Sequence, residues 1–191
     1  MRIFGIDPGS ERTGYGCVDT DGRRHRLIIC GALSAPAHSS FPDRLHVIHA
    51  GLALLIAEYR PDCIAIENIF HARNVRSALR LGHARGVALL AAAAAGVPIV
   101  EYTPAEIKRA VVGFGRAEKH QVGQMVKLLL GLEAAPTPHD AADALAVAIC
   151  HLHSANGAIA DAAIADAAGR SSRARRSSVA SKLTSWRDYR P

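Results

Sequence analysis

Short apolar runs separated by turn residues near the N-terminus predict three consecutive strands, at 2–6, 14–20 and 26–33. The first run stops at Asp7-Pro8-Gly9-Ser10, which is a turn signal. The other two runs flank Asp21-Gly22, a dipeptide that favours a tight hairpin turn. The beginning of the chain is therefore predicted to form a three-stranded meander.

After the meander, helical periodicity alternates with short apolar runs. Leu45, Ile48 and Leu52 recur at helical spacing, and Thr103-Pro104-Ala105-Glu106 has the pattern of a capping box with proline at the first helical position. That helix is expected to break at Gly113. The pattern further predicts helices at 43–59, 78–95, 118–132 and 139–153, and strands at 63–66 and 99–102. This order is typical of an α/β fold in which a mixed sheet carries helices on both faces.

Composition indicates one folded domain followed by a basic tail. A chain of 191 residues with 49% hydrophobic content can build one ordinary core. We place this domain at 1–153. Residues 154–191 are rich in Ala, Ser and Arg without strong periodicity, so we predict a disordered tail, with an extra helix at 158–168 as the open alternative.

Charge and apolar content favour a cytoplasmic protein that binds a polyanion. No apolar stretch reaches the roughly 18 residues that a membrane span needs, and we expect no secretory leader. The formal net charge is +6, which favours nucleic acid as a partner but is weak evidence by itself. The cysteines form no Cys-x-x-Cys pair and are expected to be reduced, mostly buried thiols: Cys17, Cys30, Cys63 and Cys150.

Four carboxylates lie where the predicted core ends: Asp7, Glu67, Asp140 and Asp143. Each has an ordinary structural explanation. Asp7 could bond to its own turn, and Glu67 could be an exposed strand end. Asp140 could close a capping box with Thr137, and Asp143 could simply be favoured near a helix N-terminus.

Taken together, the four carboxylates favour a metal site. Asp140 and Asp143 share one helix face with the apolar Val147, so they are expected to point near the core. Asp7 and Glu67 are at strand ends, where ligands gather in such sheets. Mg²⁺ and Mn²⁺ prefer all-oxygen ligands, and two such ions about 3.5–4 Å apart support phosphodiester hydrolysis. The sequence shows no serine elbow, no activated cysteine with a partner histidine and no P-loop, any of which would favour other chemistry.

Two lysines and one aromatic residue are candidate substrate contacts. Lys108 and Lys119 lie between the second and third acidic segments. They could bind a scissile phosphate or belong to a solvated helix face. Phe70 lies in an otherwise polar segment, where it could stack on an unpaired base or fill a local core pocket.

Spaced sequence blocks across residues 1–153 resemble the RuvC family of bacterial Holliday junction resolvases, and the tail is outside this resemblance. The blocks are Gly5-Ile6-Asp7-Pro8-Gly9-Ser10 with Thr13-Gly14-Tyr15-Gly16, Ala65-Ile66-Glu67-Asn68-Ile69-Phe70, Gly82-His83-Ala84-Arg85-Gly86, Val111-Val112-Gly113, Ala117-Glu118-Lys119 and Asp140-Ala141-Ala142-Asp143-Ala144-Leu145-Ala146.

The resemblance implies a ribonuclease H-like fold and a homodimeric, Mg²⁺-dependent endonuclease. Such an enzyme resolves four-way DNA junctions by paired symmetric nicks in homologous recombination and DNA repair. The resemblance also implies two ions per active site, with Mn²⁺ able to substitute, and the RuvA and RuvB branch-migration proteins as partners. The implied metal ligands are Asp7, Glu67, Asp140 and Asp143.

The resemblance further implies that Lys108 and Lys119 act near the scissile phosphate and that Phe70 stacks at the opened junction centre. Further candidate DNA contacts are Arg73, Asn74, Arg76 and Arg116. His139 directly precedes Asp140, and it could assist as a proton carrier.

Three other functions stay open at this point. The first is a related nuclease that hydrolyses RNA–DNA hybrids or another structured nucleic acid. The second is a non-catalytic junction-binding protein, which the retained carboxylates argue against. The third is an actin-like ATP-binding protein, since Asp-x-Gly-Ser after a first strand can cradle phosphate, but 191 residues cannot hold the second lobe of that fold.

Overall fold

The computed structural model describes residues 1–68 and 74–154. In chain order, the elements are β1 (Arg2–Asp7), β2 (Thr13–Thr20), β3 (His25–Leu33), α1 (Phe41–Tyr59), β4 (Cys63–Glu67), α2 (Val75–Ala94), β5 (Ile99–Tyr102), α3 (Pro104–Val112) and α4 (Lys119–Leu129). A further helix, α5, is described over residues 139–154. Every strand and helix expected within residues 1–153 is present, with changes only at the ends of elements.

The five strands form one mixed sheet in the order β3-β2-β1-β4-β5. The meander of β1, β2 and β3 is antiparallel, whereas β4 pairs with β1, and β5 with β4, in parallel. Parallel pairing requires crossovers, and α1 and α2 provide them. The predicted mixed α/β sheet is confirmed.

Helices cover both faces of the sheet with separate apolar clusters. On one face, α1 and α2 pack against strand residues that include Phe4, Ile6 and Ile66. On the other face, α3, α4 and α5 pack against residues that include Ile3 and Ala65. Successive strand residues point to opposite faces, so alternate residues of β1 and β4 supply the two clusters.

The same alternation directs Asp7 and Glu67 to the face covered by α5. Asp7 has the parity of Ile3 in β1, and Glu67 has the parity of Ala65 in β4. Ile6 and Ile66 are partners in the parallel register, so the two carboxylates that follow them are neighbours at the same edge of the sheet.

Helix α5 lies unusually close to the sheet because glycines line its path. A Cβ at Gly5 would collide with the backbone of α5 at the carbonyl oxygen of Ala144. A Cβ at Gly14 would collide with the backbone of Asp140 at the start of α5. The missing side chains therefore allow α5 to bring its acidic N-terminal turn down onto β1 and β2.

Local capping explains where two helices differ from expectation. Helix α2 begins at Val75, three residues before the predicted start, because the Asn74 side chain accepts a hydrogen bond from the Ser77 N–H at 2.9 Å. Helix α4 ends at Leu129 and does not extend to residue 132. There Gly131 adopts a left-handed conformation with φ of 62°, which closes the helix.

The cysteine expectation is confirmed, because all four are free thiols and only Cys30 is not fully buried. Burial raises the pKa of Cys150 to about 11, so this thiol is inert at neutral pH. None of the helices in the described part of the chain combines the length and apolarity needed to span a bilayer. The predicted disorder and the alternative helix at 158–168 fall on residues outside the described ranges, so the boundary near residue 153 stays a prediction.

Candidate active site

A cavity of about 240 Å³ opens where β1 and β4 end. Its acidic lining consists of Asp7, Glu67 and Asp143, and its basic lining consists of Lys108 and Lys119. The strands supply the first two carboxylates, α5 supplies the third, and α3 and α4 supply one lysine each. Five residues that are far apart in sequence, all of them candidates from the sequence, therefore converge on one cavity.

Asp7 and Glu67 form a pair of crowded carboxyl groups. Burial raises the pKa of Asp7 well above its usual range, and the negative charge of Glu67 beside it raises the pKa further. Burial also raises the pKa of Glu67. A nearby cation would stabilise the ionised forms of both carboxyl groups.

Lys119 places a positive charge near this carboxyl pair while it forms a hydrogen bond with the neighbouring Asp143. Its Nζ donates a hydrogen bond to Asp143 Oδ2 at 2.8 Å. This hydrogen bond is the main cause of the raised pKa of Lys119, so the side chain is an ammonium at physiological pH. The Asp143 side chain is largely buried, whereas the Lys119 side chain is largely exposed. Lys119 can therefore exchange Asp143 for another anion while it remains in contact with solvent.

Asp140 has a different partner and does not line the cavity. The Arg12 Nη1 group donates to Asp140 Oδ2 at 3.5 Å. The capping box considered for Asp140 is not formed, because α5 begins at His139, after Pro138, and the Asp140 carboxylate accepts from Arg12 and not from the backbone of Thr137. Arg12, which forms this ion pair with Asp140, is a residue that the sequence patterns did not single out.

The oxygen ligands fit a hard divalent cation, although their side chains have not converged on a metal geometry. Within residues 1–68 and 74–154, no group of three or more Asp, Glu, His or Cys side chains is arranged to hold a metal ion. Asp143 and Asp140 are instead paired with Lys119 and Arg12. Carboxylates that already attract cationic side chains are suited to Mg²⁺, which takes oxygen ligands.

Among the remaining candidate DNA contacts, those in the described part of the chain lie outside the cavity lining. Asn74 caps α2, Arg76 lies in its first turn, and Arg116 is exposed in the segment that joins α3 to α4. His139 is the first residue of α5. Phe70 and Arg73 lie outside the described residues.

A larger depression of about 690 Å³ lies at the opposite end of β1. Its best-defined charged group is Asp19, which forms ion pairs with Arg2 at 2.8 Å and with Arg26 at 3.4 Å. The Arg2 hydrogen bond also holds the pKa of Asp19 below its usual value. Asp19 therefore already has cationic partners, whereas the smaller cavity gathers three carboxylates, two of them with raised pKa values, and is the better candidate active site.

Comparisons with known proteins connect this cavity to one family. The family model described as crossover junction endodeoxyribonuclease RuvC matches residues 3–151. A relative from Syntrophomonas wolfei, named crossover junction endodeoxyribonuclease RuvC, is 51% identical over 154 residues, which are 81% of this chain and 90% of the relative.

Solved structures agree with the sequence comparisons. The Thermus thermophilus RuvC structure is 36% identical with a TM-score of 0.76, covering 83% of this chain and 97% of the other. T. thermophilus RuvC in complex with a Holliday junction substrate is 35% identical with a TM-score of 0.74, covering 81% and 95%. These matches confirm the ribonuclease H-like fold, and the chain belongs to the RuvC family of crossover junction endodeoxyribonucleases.

Proposed function

We propose that this chain is a structure-selective DNA endonuclease that resolves Holliday junctions by paired symmetric nicks. The observation that carries the proposal is the cavity in which Asp7, Glu67 and Asp143 face Lys108 and Lys119. Membership of the RuvC family supports a phosphodiester as the bond to be cleaved and a four-way junction as the substrate. The biological setting is homologous recombination and DNA repair in the cytoplasm.

Two Mg²⁺ ions, replaceable by Mn²⁺, are the proposed cofactor, with Asp7, Glu67, Asp140 and Asp143 as the residues that would hold them. When bound, such ions activate water and stabilise the charge that develops during hydrolysis at phosphorus. The adjacent C-terminal ends of β1 and β4 position Asp7 and Glu67. The close packing of α5 on the sheet positions Asp143. Asp140 has to leave Arg12 before it can join them.

The lysines are proposed to bind the substrate backbone. Lys119 is exposed and paired with Asp143, so a DNA phosphate that enters the cavity can replace this carboxylate as its partner. Lys108 lines the same cavity from α3. Two ammonium groups at the cavity would orient the scissile phosphate and offset the charge that develops on it.

The other proposed DNA contacts are near cavity-lining residues in the sequence. Phe70 and Arg73 belong to the segment between β4 and α2, and Asn74 and Arg76 follow it. Arg116 precedes α4. We propose that this group contacts the junction arms and centre, with RuvA and RuvB as the protein partners at the same DNA.

The direct test is cleavage of a synthetic four-way junction in Mg²⁺. We expect nicks at symmetric positions in two opposing strands, and much less cleavage of linear duplex or an RNA–DNA hybrid of matched sequence. Strand-specific end labels on a denaturing gel measure both. Preferential cleavage of the hybrid, or junction binding without any cleavage in Mg²⁺ or Mn²⁺, would contradict the proposal.

A second copy of the chain is proposed to cover the outer surface of α2. An apolar groove there is lined mainly by α2 residues, including Leu79, Val87 and Leu90. Leu79 and Leu90 are 61% and 59% exposed, an unusual arrangement for two leucines on one helix. A twofold dimer would also place two identical sites on a junction that needs two symmetric cuts.

Leu79→Glu is expected to weaken dimerisation by about 30-fold or more, because it introduces a charge into an apolar interface. Sedimentation equilibrium measures the dissociation constant. Leu128→Glu is the matched control, since Leu128 is 69% exposed on α4, which packs on the other face of the sheet. Equal dissociation constants for the two variants would contradict the proposed interface.

A further inference from the structure

The loop between β1 and β2 holds Arg12 in a defined position. Thr13 is fully buried, and its hydroxyl donates to the Gly9 carbonyl oxygen at 3.0 Å. The Gly9 N–H donates to the same hydroxyl at 3.3 Å. These two hydrogen bonds close a loop that contains Arg12 and ends where β2 begins at Thr13, so the guanidinium extends from an ordered backbone.

The partner of Arg12 is the carboxylate that is missing from the cavity lining. Asp140 lies next to the cavity, because its backbone packs on Gly14, and Gly14 is the β2 partner of Asp7. Paired strand residues are roughly 5 Å apart, so the backbone of Asp140 lies close to the strand position of Asp7. Arg12 therefore holds Asp140 near the site but outside it.

The contact between Arg12 and Asp140 is one that can be exchanged at small cost. Their side chains are 52% and 32% exposed, and exposed ion pairs are weak. A guanidinium binds phosphate with the same forked geometry that it offers to a carboxylate. A DNA phosphate close to Arg12 would compete directly with Asp140, and its negative charge would repel the released carboxylate.

We propose that Arg12 exchanges Asp140 for a backbone phosphate when DNA binds, and that this exchange releases Asp140 toward the metal site. The inference rests on the proposed function and deepens it, because it couples substrate binding to completion of the carboxylate set. Arg12 acts on the metal site through Asp140 and is thus a positioning residue.

The first measurement is junction affinity as a function of salt, made in EDTA so that no cleavage occurs. Each phosphate contact that is lost lowers the slope of log affinity against log salt by about one unit. Arg12→Ala is expected to lower the slope by about one unit, and Arg12→Lys is expected to keep it. Arg23→Ala is the matched control, because Arg23 is exposed beyond the opposite end of β2 and should leave the slope unchanged.

The second measurement is Mg²⁺ binding to the DNA-free protein, by titration calorimetry or by the Mg²⁺ dependence of the melting temperature. Without its competitor, Asp140 is available to the ion, so Arg12→Ala is expected to bind Mg²⁺ about two- to fivefold more tightly than wild type. Arg23→Ala should bind Mg²⁺ as wild type does. This readout requires neither DNA nor catalytic activity.

Two results separate this inference from the proposed function. If wild type does not bind the junction, the proposed function fails and the inference fails with it. If wild type binds and cleaves the junction but Arg12→Ala leaves either the salt slope or the Mg²⁺ affinity unchanged, only the inference is overturned.

Discussion

Asp7→Asn is expected to reduce junction cleavage by at least about 10³-fold, equivalent to about 4 kcal/mol of transition-state stabilisation. The substitution keeps the size of the side chain but removes one anionic oxygen from the carboxylate set. Junction affinity in EDTA should change little, because Asp7 is proposed to bind the cofactor and not the DNA. Single-turnover cleavage and equilibrium binding, measured on the same preparation, check the two expectations. Cleavage within tenfold of wild type would contradict the role of Asp7.

The same variant should be more stable than wild type when no metal is bound. A carboxyl group whose pKa is raised by folding stabilises the protein below its unfolded-state pKa and loses that contribution as the pH rises. Above the unfolded-state pKa of Asp7, burial and the neighbouring Glu67 charge therefore make this carboxyl group destabilising to the folded protein. Asparagine removes the charge, so we expect a gain of about 1–2 kcal/mol at pH 7 without metal.

The pH dependence of this gain tests its cause. As the pH falls to the unfolded-state pKa of about 4, Asp7 is protonated in both the folded and unfolded states, so the difference between the two proteins should disappear. Added Mg²⁺ should stabilise wild type more than Asp7→Asn. Thermal unfolding over a pH series, with and without Mg²⁺, measures both effects. A gain that does not vary with pH would indicate a cause other than charge.

Gly5→Ala is expected to destabilise the fold by about 3 kcal/mol, because the added methyl group has no space. It would meet the backbone of α5 at Ala144 and Ala148, and backbone atoms cannot rotate away as a side-chain tip can. The helix would have to move off the sheet and carry Asp143 away from Asp7. We therefore expect reduced cleavage as well as a lower free energy of unfolding in denaturant titrations.

Gly123→Ala in α4 is the matched control for Gly5→Ala. A Cβ at Gly123 would meet only the Ala142 Cβ at 4.0 Å, an ordinary contact distance. Alanine is favoured over glycine within a helix, so this variant should gain about 0.5–1 kcal/mol. If both variants lost stability equally, close approach of α5 would not explain the requirement for glycine at position 5.

Local sequence patterns predicted much of the site because the two strand carboxylates need only local information. The run 2–6 ends at Asp7 and the run 63–66 ends at Glu67, so each acid was expected at a strand end. Helix ends were predicted less well, because Asn74 and Gly131 act through single hydrogen bonds and backbone angles. Such features change the ends of a helix without changing its apolar periodicity.

The partner of Asp140 could not be predicted from local patterns. Arg12 and Asp140 are 128 positions apart in the chain, and neither periodicity nor spacing connects them. Their contact depends on the approach of α5 to Gly14, which is a property of the packed structure. Nothing in the sequence motif distinguishes the surroundings of Asp140 from those of Asp143. In the structure, Asp140 pairs with Arg12 and Asp143 pairs with Lys119.

The sequence by itself determined the types and order of the elements, the ends at which Asp7 and Glu67 stand, and the shared helix face of Asp140 and Asp143. These properties follow from the local periods of strands and helices. Only the tertiary structure decided that β1 adjoins β4, that glycines admit α5, and that Asp143 enters the cavity while Asp140 pairs with Arg12. The order of the strands and the distance of α5 from the sheet depend on packing between segments that are distant in sequence. The periodicity of apolar residues within one segment contains no information about such packing.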